Sequence, residues 1–324
     1  MHAIRIHEYG GPEVLRWEEV EEPTPAEGEV LLRHTAVGLN FIDVAFREGR
    51  RAAPTPPFTP GMEGAGVVEA VGPGVTGIVE GDRVAYASPP AGAYAEWRVM
   101  PAARLVKVAD GIDDETAAAM MLKGMTAQYL LRQTYPVQPG EAVLVHAAAG
   151  GVGSLLCQWA RHLGATVIGN VGNDEKAELA RGFGCEHPIV SSRDDIVARV
   201  REITGGAGVS VVYDSLGGET FYKSMDCLRP RGMLVSYGQS SGPIEPLDIG
   251  VLGAKGGVFV TRPSVFGYSA KREDMLAMAG EVMEMIDSGK LRIDIRQRYP
   301  LAEAMHAHWD LEARRTTGAT VLLP

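Results

Sequence analysis

Residues 145–153 read Val145-His146-Ala147-Ala148-Ala149-Gly150-Gly151-Val152-Gly153, a glycine turn between an apolar strand (142–146) and a helix from about Val152 to Leu163. The run departs from G-x-G-x-x-G in carrying Ala148 where the first glycine would stand. Gly150 lets the backbone approach a pyrophosphate, and Gly153 permits close helix–strand packing. The start of the helix offers free N–H groups and a positive dipole end to phosphates. A glycine turn also serves as a plain strand-to-helix connection with no ligand, so its surroundings matter. Thr166-Val167-Ile168, a helix over Glu175 to Gly182, then Val209-Ser210-Val211-Val212-Tyr213 and Gly232-Met233-Leu234-Val235-Ser236 continue an alternation of buried strand and helix from about residue 123. That rhythm argues a parallel, doubly wound α/β sheet, in which such a turn holds a dinucleotide.

The end of the second strand bears on which dinucleotide. An NAD site usually carries Asp or Glu about 20 residues past the turn, accepting from the ribose 2′-hydroxyl. Here that stretch is Ile168-Gly169-Asn170-Val171-Gly172-Asn173, and the first acids, Asp174 and Glu175, come in the turn beyond. The missing carboxylate removes a repulsion against a 2′-phosphate and favours NADPH. Lys176 follows and is suited to meet that phosphate, its alternative role being a solvated helix residue.

Residues 1 to about 122 read differently, as short strands bounded by glycine and proline: Glu29-Val30-Leu31-Leu32-Arg33-His34-Thr35 and Gly64-Ala65-Gly66-Val67-Val68-Glu69-Ala70-Val71. Arg51 to Pro60 holds four prolines and reads as an ordered loop on the rim of a cleft. Near the other end, Met275, Met278, Val282, Met285 and Ile286 fall at helical spacing, and the methionines read as core filling. At 324 residues the chain suits two moderate domains. Its net charge of −10 and lack of any basic run longer than Arg50-Arg51 or Arg314-Arg315 argue against nucleic acid or an anionic membrane as partner. No stretch approaches the roughly 18 apolar residues of a membrane span, and the alternating start Met1-His2-Ala3-Ile4-Arg5-Ile6 does not read as a signal peptide. Three scattered cysteines, Cys157, Cys185 and Cys227, make no disulfide framework and predict a cytoplasmic protein in a reducing compartment.

Several short motifs add to the turn: Gly10-Gly11-Pro12-Glu13-Val14-Leu15, Asn40-Phe41-Ile42-Asp43, Gly81-Asp82-Arg83-Val84, Tyr213-Asp214-Ser215-Leu216-Gly217 and Thr261-Arg262-Pro263-Ser264. In this order and spacing the chain resembles the quinone oxidoreductase branch of the medium-chain dehydrogenase/reductase family along nearly its whole length. The resemblance implies a GroES-like β-rich catalytic domain (1–122), a Rossmann NADPH-binding domain (123–265) and a return to the catalytic domain (266–324). It further implies an active-site cleft between the domains and a homodimer. NADPH contacts carried over by the resemblance are Thr126, Gly150, Gly151, Val152, Gly153, Gly172, Lys176, Ser191, Ser215, Gly238 and Arg314. Asn40 and Asp43 become the catalytic candidates around the nicotinamide, although a pair of turn residues bonding their own backbone would look the same in sequence.

Zinc-dependent alcohol dehydrogenases share the fold implied here, and chemistry separates the two. Where those relatives place a Cys and a His, this chain has Asn40 and Met62, and an amide with a thioether makes no catalytic zinc site. Only seven residues, Ala85 to Ala91, none of them cysteine, separate Val84 from Gly92, which leaves no room for a four-cysteine structural lobe. The protein is therefore expected to be metal-free. Oxidising an alcohol requires a stabilised alkoxide, for which a Lewis acid serves, whereas a quinone accepts a hydride readily and asks only for hydrogen-bond donors in a dry pocket. Two features depart from the family pattern. Ala45 and Arg51 stand at common tyrosine positions, so the acceptor preference does not carry over, and Ser191 replaces a tyrosine placed against the 2′-phosphate. The leading expectation is NADPH-dependent reduction of quinones or similar electrophilic carbonyls. Alternatives are reduction of activated C=C bonds, as in enone or enoyl reductases, and a cofactor-binding protein with negligible turnover.

Overall fold

The computed structural model describes residues 1–50 and 53–324. Their backbone falls into two compact units. One comprises Met1–Met125, Ser269–Asp287 and Ile293–Pro324, and the other Thr126–Tyr268 and Ser288–Arg292. The position of Arg51 lies outside the described residues.

The first unit is built on a long strand, Glu29–Gly38. It pairs antiparallel with Glu63–Val71, with Trp97–Pro101 and with Ala319–Leu323, and the sheet continues to Arg83–Ala87, Val106–Lys107 and Ile295–Pro300. Its apolar residues close over a core that includes Ile4, Ile6, Val30, Leu32, Val37, Tyr86, Tyr94 and Leu322. The start of Glu63–Val71 is buried on both faces, so the carboxylate of Glu63 sits in the interior and must find partners there. Gly38 makes the room. A Cβ at that position would lie 2.4 Å from both the Ala118 carbonyl and Glu63 Oε2. The methionine stripe is part of a helix, Arg272–Asp287, that buries Met275, Met278, Val282 and Met285. Gly124, in the helix Asp114–Tyr129, lets it pack closely, since a Cβ there would meet Val282 Cγ1 at 2.6 Å. A helix over Phe41–Arg47, absent from the strand-based reading of this region, is only seven residues long, too short to announce itself by periodicity.

The second unit holds six parallel strands in the spatial order His187–Val190, Thr166–Val171, Ala142–His146, Val209–Asp214, Leu228–Ser236 and Phe259–Thr261. This is the doubly wound order of a Rossmann sheet, with the switch point between Ala142–His146 and Val209–Asp214. Helix Gly151–His162 follows the glycine turn. Strand Thr166–Val171 runs three residues beyond Ile168, because it is paired on both sides and Asn170 stands level with His146 on one side and Ile189 on the other. No helix among the described residues is long and apolar enough to cross a membrane.

Candidate active site

In the second unit the candidate nucleotide residues gather on the loops that leave the carboxyl ends of the strands, where open α/β sheets bind ligands. Gly150 to Gly153 follow Ala142–His146, and Gly172 follows Thr166–Val171. Ser191 follows His187–Val190, Ser215 follows Val209–Asp214, and Gly238 lies just past Leu228–Ser236. Geometry explains the glycines. A Cβ on Gly153 would lie 2.1 Å from the Ala147 carbonyl oxygen, so only glycine lets the helix start this close to the strand. A Cβ on Gly238 would lie 2.5 Å from the Ser215 carbonyl, which sets those two loops against each other. Asn173 caps the helix Asp174–Gly182 by accepting from the Lys176 amide at 2.9 Å, and Lys176 itself is half-buried in the first turn. The Ser191 hydroxyl donates to the Val171 carbonyl at 3.1 Å, which ties it to the same strand end. Thr126 is not on these loops but buried in the helix Asp114–Tyr129, and Arg314 belongs to the first unit, exposed, with a left-handed φ of 58°.

Beneath these loops runs a buried polar chain that the sequence reading did not assemble. Asp214 accepts from the amides of Leu216 and Gly217 and from the hydroxyls of Thr220 and Ser224. Having given its proton to Asp214 Oδ2, Ser224 can only accept from His146 Nε2 (2.9 Å), which leaves His146 Nδ1 to accept from Asn170 Nδ2 (3.0 Å). The chain fixes the imidazole tautomer and the turn of the Asn170 amide, and burial holds His146 below its usual pKa and so neutral. It joins three strand ends: those before the glycine turn, before Gly172 and before Ser215.

In the first unit Asn40 and Asp43 do more than bond their own turn. The Asn40 amide N–H donates to Asp43 Oδ2 at 2.9 Å, holding the start of helix Phe41–Arg47. The Asn40 side chain instead reaches Glu63, with Nδ2 2.8 Å from Oε2. The same Glu63 oxygen accepts from Lys123 Nζ at 3.0 Å, and Oε1 accepts from the Leu122 amide at 2.7 Å. Tyr94 donates to Asp43 Oδ2 (3.1 Å) and meets His308 Nε2 (3.1 Å), while Arg47 donates to His308 Nδ1 (3.0 Å) and is paired with Glu312 (2.6 Å). Asp43 Oδ1 has no hydrogen-bond partner among the described residues. Burial raises the Asp43 pKa to about 7, against the opposing pull of the Asn40 amide and the Tyr94 hydroxyl. Burial, with help from Arg47, lowers His308 to about 3, so the imidazole is neutral.

Glu63, Lys123, Tyr94, Arg47 and His308 were not found from sequence. For Lys123 a signal existed, since it is the single cation in the apolar run 117–131 up to Leu131. Met62 is buried beside Glu63. Among the described residues no group of three or more His, Cys, Asp or Glu side chains could hold a metal ion.

The alcohol dehydrogenase GroES-like domain family matches residues 26–110, and the zinc-binding dehydrogenase family matches residues 151–282. A quinone oxidoreductase of Pseudomonas aeruginosa is 51% identical over 321 residues, which is 99% of each chain. A 2-haloacrylate reductase of Burkholderia is 48% identical, covering 99% of this chain and 98% of that protein. The crystal structure of Escherichia coli quinone oxidoreductase complexed with NADPH superposes with a TM-score of 0.98 at 44% identity, covering all of both chains.

Proposed function

Because the chain belongs to the quinone oxidoreductase branch of the medium-chain dehydrogenase/reductase family, we propose that it is a zinc-independent, NADPH-dependent reductase of quinones and similar electrophilic carbonyls. The observation that carries this reading is the convergence of five carboxyl-end loops of the parallel sheet on the side of the glycine turn, in a chain so similar to an NADPH-complexed relative. The residues present fit the cofactor. Gly150 is extended (φ −85°, ψ 175°), the amides that open helix Gly151–His162 have no partner within the helix, and the space over Gly153 is closed to any larger side chain. In this reading Gly150, Gly151, Val152 and Gly153 hold the pyrophosphate and Lys176 meets the 2′-phosphate. Thr126, Gly172, Ser191, Ser215 and Gly238 contact the rest of the nucleotide. Bound NADPH supplies the hydride. Asn40 and Asp43 hold the acceptor side, and the amide and thioether of Asn40 and Met62 support a site without zinc.

A second reading, reduction of an activated C=C bond, is favoured by the 48% identity to a 2-haloacrylate reductase. Steady-state comparison of a benzoquinone with an α,β-unsaturated ketone decides between them. The quinone should show the higher kcat/KM, and a higher value for the enone overturns the quinone reading. We also propose a cytoplasmic homodimer that pairs the edge strand Phe259–Thr261 with its counterpart, because Phe259 is 56% exposed on an edge that would otherwise invite aggregation.

A further inference from the structure

We propose that Lys123 is a catalytic residue whose buried ammonium group stabilises the negative charge that develops on the acceptor oxygen during reduction, the task a Lewis-acid metal performs elsewhere. This rests on the reading of the chain as a hydride-transferring reductase and adds the electrophile that reading lacks.

Lys123 is only 6% exposed, and an ammonium taken out of water is heavily penalised unless it is paired. Glu63 pairs it, yet a buried ion pair is a weak source of stability, and apolar replacements of similar volume are often as stable or more so. Stability alone therefore gives little reason for this pair. Its geometry gives a better one. Glu63 Oε2 accepts from Lys123 Nζ at 3.0 Å and from Asn40 Nδ2 at 2.8 Å, so one carboxylate oxygen seats a cation beside the amide read as an acceptor contact. Glu63 is itself anchored through Oε1 by the Leu122 amide. An ammonium has three N–H donors, and among the described residues Lys123 makes one hydrogen bond, to Glu63. Asp43, a fully buried carboxyl group whose charge would also act on Lys123, is pushed by burial toward its neutral form and so offsets the cation less than a second carboxylate would. Gly38, with no room for a Cβ against Glu63 and Ala118, keeps the assembly tight.

The chemistry balances without a metal. Bound NADPH would supply the hydride, a hydrogen together with the electron pair of its C–H bond, so that the acceptor is reduced and the cofactor oxidised. The acceptor oxygen becomes an oxyanion, received by an N–H of Lys123, and a solvent proton then neutralises the product. A fixed donor of this kind is worth about 10²- to 10³-fold in rate.

The test uses the full-length protein with NADPH bound. Removing Lys123 alone strands the Glu63 charge, so the informative variant is K123M/E63Q, which deletes both charges at similar volume. The expected result is a folded protein that binds NADPH as tightly as the parent but transfers hydride to 1,4-benzoquinone about 100- to 1,000-fold more slowly in a single turnover. The loss should be greater with an enone, a poorer electrophile that depends more on the cation; a structural role would slow both acceptors alike. Should K123M/E63Q fail to fold, K123A assayed in methylammonium chloride carries the test. Single-turnover rates that rise with methylammonium but not with tetramethylammonium support the assignment, and rates indifferent to the added cation overturn it. Wild-type turnover matched by K123M/E63Q overturns the role of Lys123 and leaves the proposed function intact, whereas a parent protein inert to every acceptor removes the function itself.

Discussion

The glycine turn allows cofactor binding and folding to be separated by two neighbouring substitutions. At Gly150 an added Cβ would have its nearest contact at 3.2 Å, with the Ala147 carbonyl oxygen, and the backbone there is extended, so alanine fits with a shift of a few tenths of an ångström. At Gly153 the same atom would lie 2.1 Å from that oxygen and 2.8 Å from the carbonyl carbon, both backbone, so the start of the helix must move. Gly150→Ala should leave the melting temperature nearly unchanged while its methyl group blocks the approach of a phosphate to the turn. Loss of one charge-assisted hydrogen bond costs about 1.5–3 kcal/mol, which corresponds to roughly a 10- to 150-fold rise in the NADPH dissociation constant. Gly153→Ala should weaken NADPH at least as much and also destabilise the fold by about 1–3 kcal/mol, as overpacking does. Titration of NADPH by fluorescence, beside thermal unfolding of each variant, gives both quantities. If Gly150→Ala binds NADPH like the parent, the turn is only a strand-to-helix connection and the phosphate assignment is wrong.

Lys176→Ala should raise the Michaelis constant for NADPH about 10- to 150-fold and leave that for NADH nearly unchanged, because only one of the two carries the 2′-phosphate. Steady-state kinetics with both cofactors checks this, and equal losses refute it. Asp43, raised to about 7 by burial, keeps in the folded state a proton that the unfolded chain releases near pH 4. Stability contributed by that proton is therefore lost as pH rises from about 4 to about 7, by an amount on the order of a few kcal/mol. Urea unfolding should show this slope in the parent and a flatter one in Asp43→Asn. Light scattering at micromolar concentration should give twice the chain mass for the parent and the single mass for Phe259→Lys, which puts a charge on the exposed edge strand.

The parallel sheet was legible because its strands are buried on both faces and read as apolar runs such as Ala142–His146 and Val209–Tyr213, each followed by a turn with its own glycines. The glycine turn was legible for a steric reason that holds locally, the approach of Gly153 to Ala147. What did not show was whatever depends on distant segments meeting. Arg47 and His308 touch although they lie 261 positions apart in the chain, and nothing near either residue in sequence announces it. Asn40 and Asp43 were visible as a pair, but their spacing fits a helix start as well as a site, and the structure makes them both a cap and part of a buried cluster. Asn170 stood out only as a missing acid. Its place level with His146 on the neighbouring strand turns it into the end of a hydrogen-bond chain from Asp214. Lys123 was legible in principle, because a lone cation in an apolar run must be neutralised by something.

Reduction of a quinone by NADPH without zinc can be read from one single-turnover measurement. Protein whose zinc content has first been measured by elemental analysis is dialysed against chelator, loaded with NADPH deuterated at the transferred C4 position and mixed with 1,4-benzoquinone. Expected are no stoichiometric zinc before dialysis, one NADPH oxidised per quinone reduced, and slower turnover with deuterium than with hydrogen. About one zinc per chain before dialysis, with turnover lost on its removal and restored by adding it back, would refute reduction without zinc.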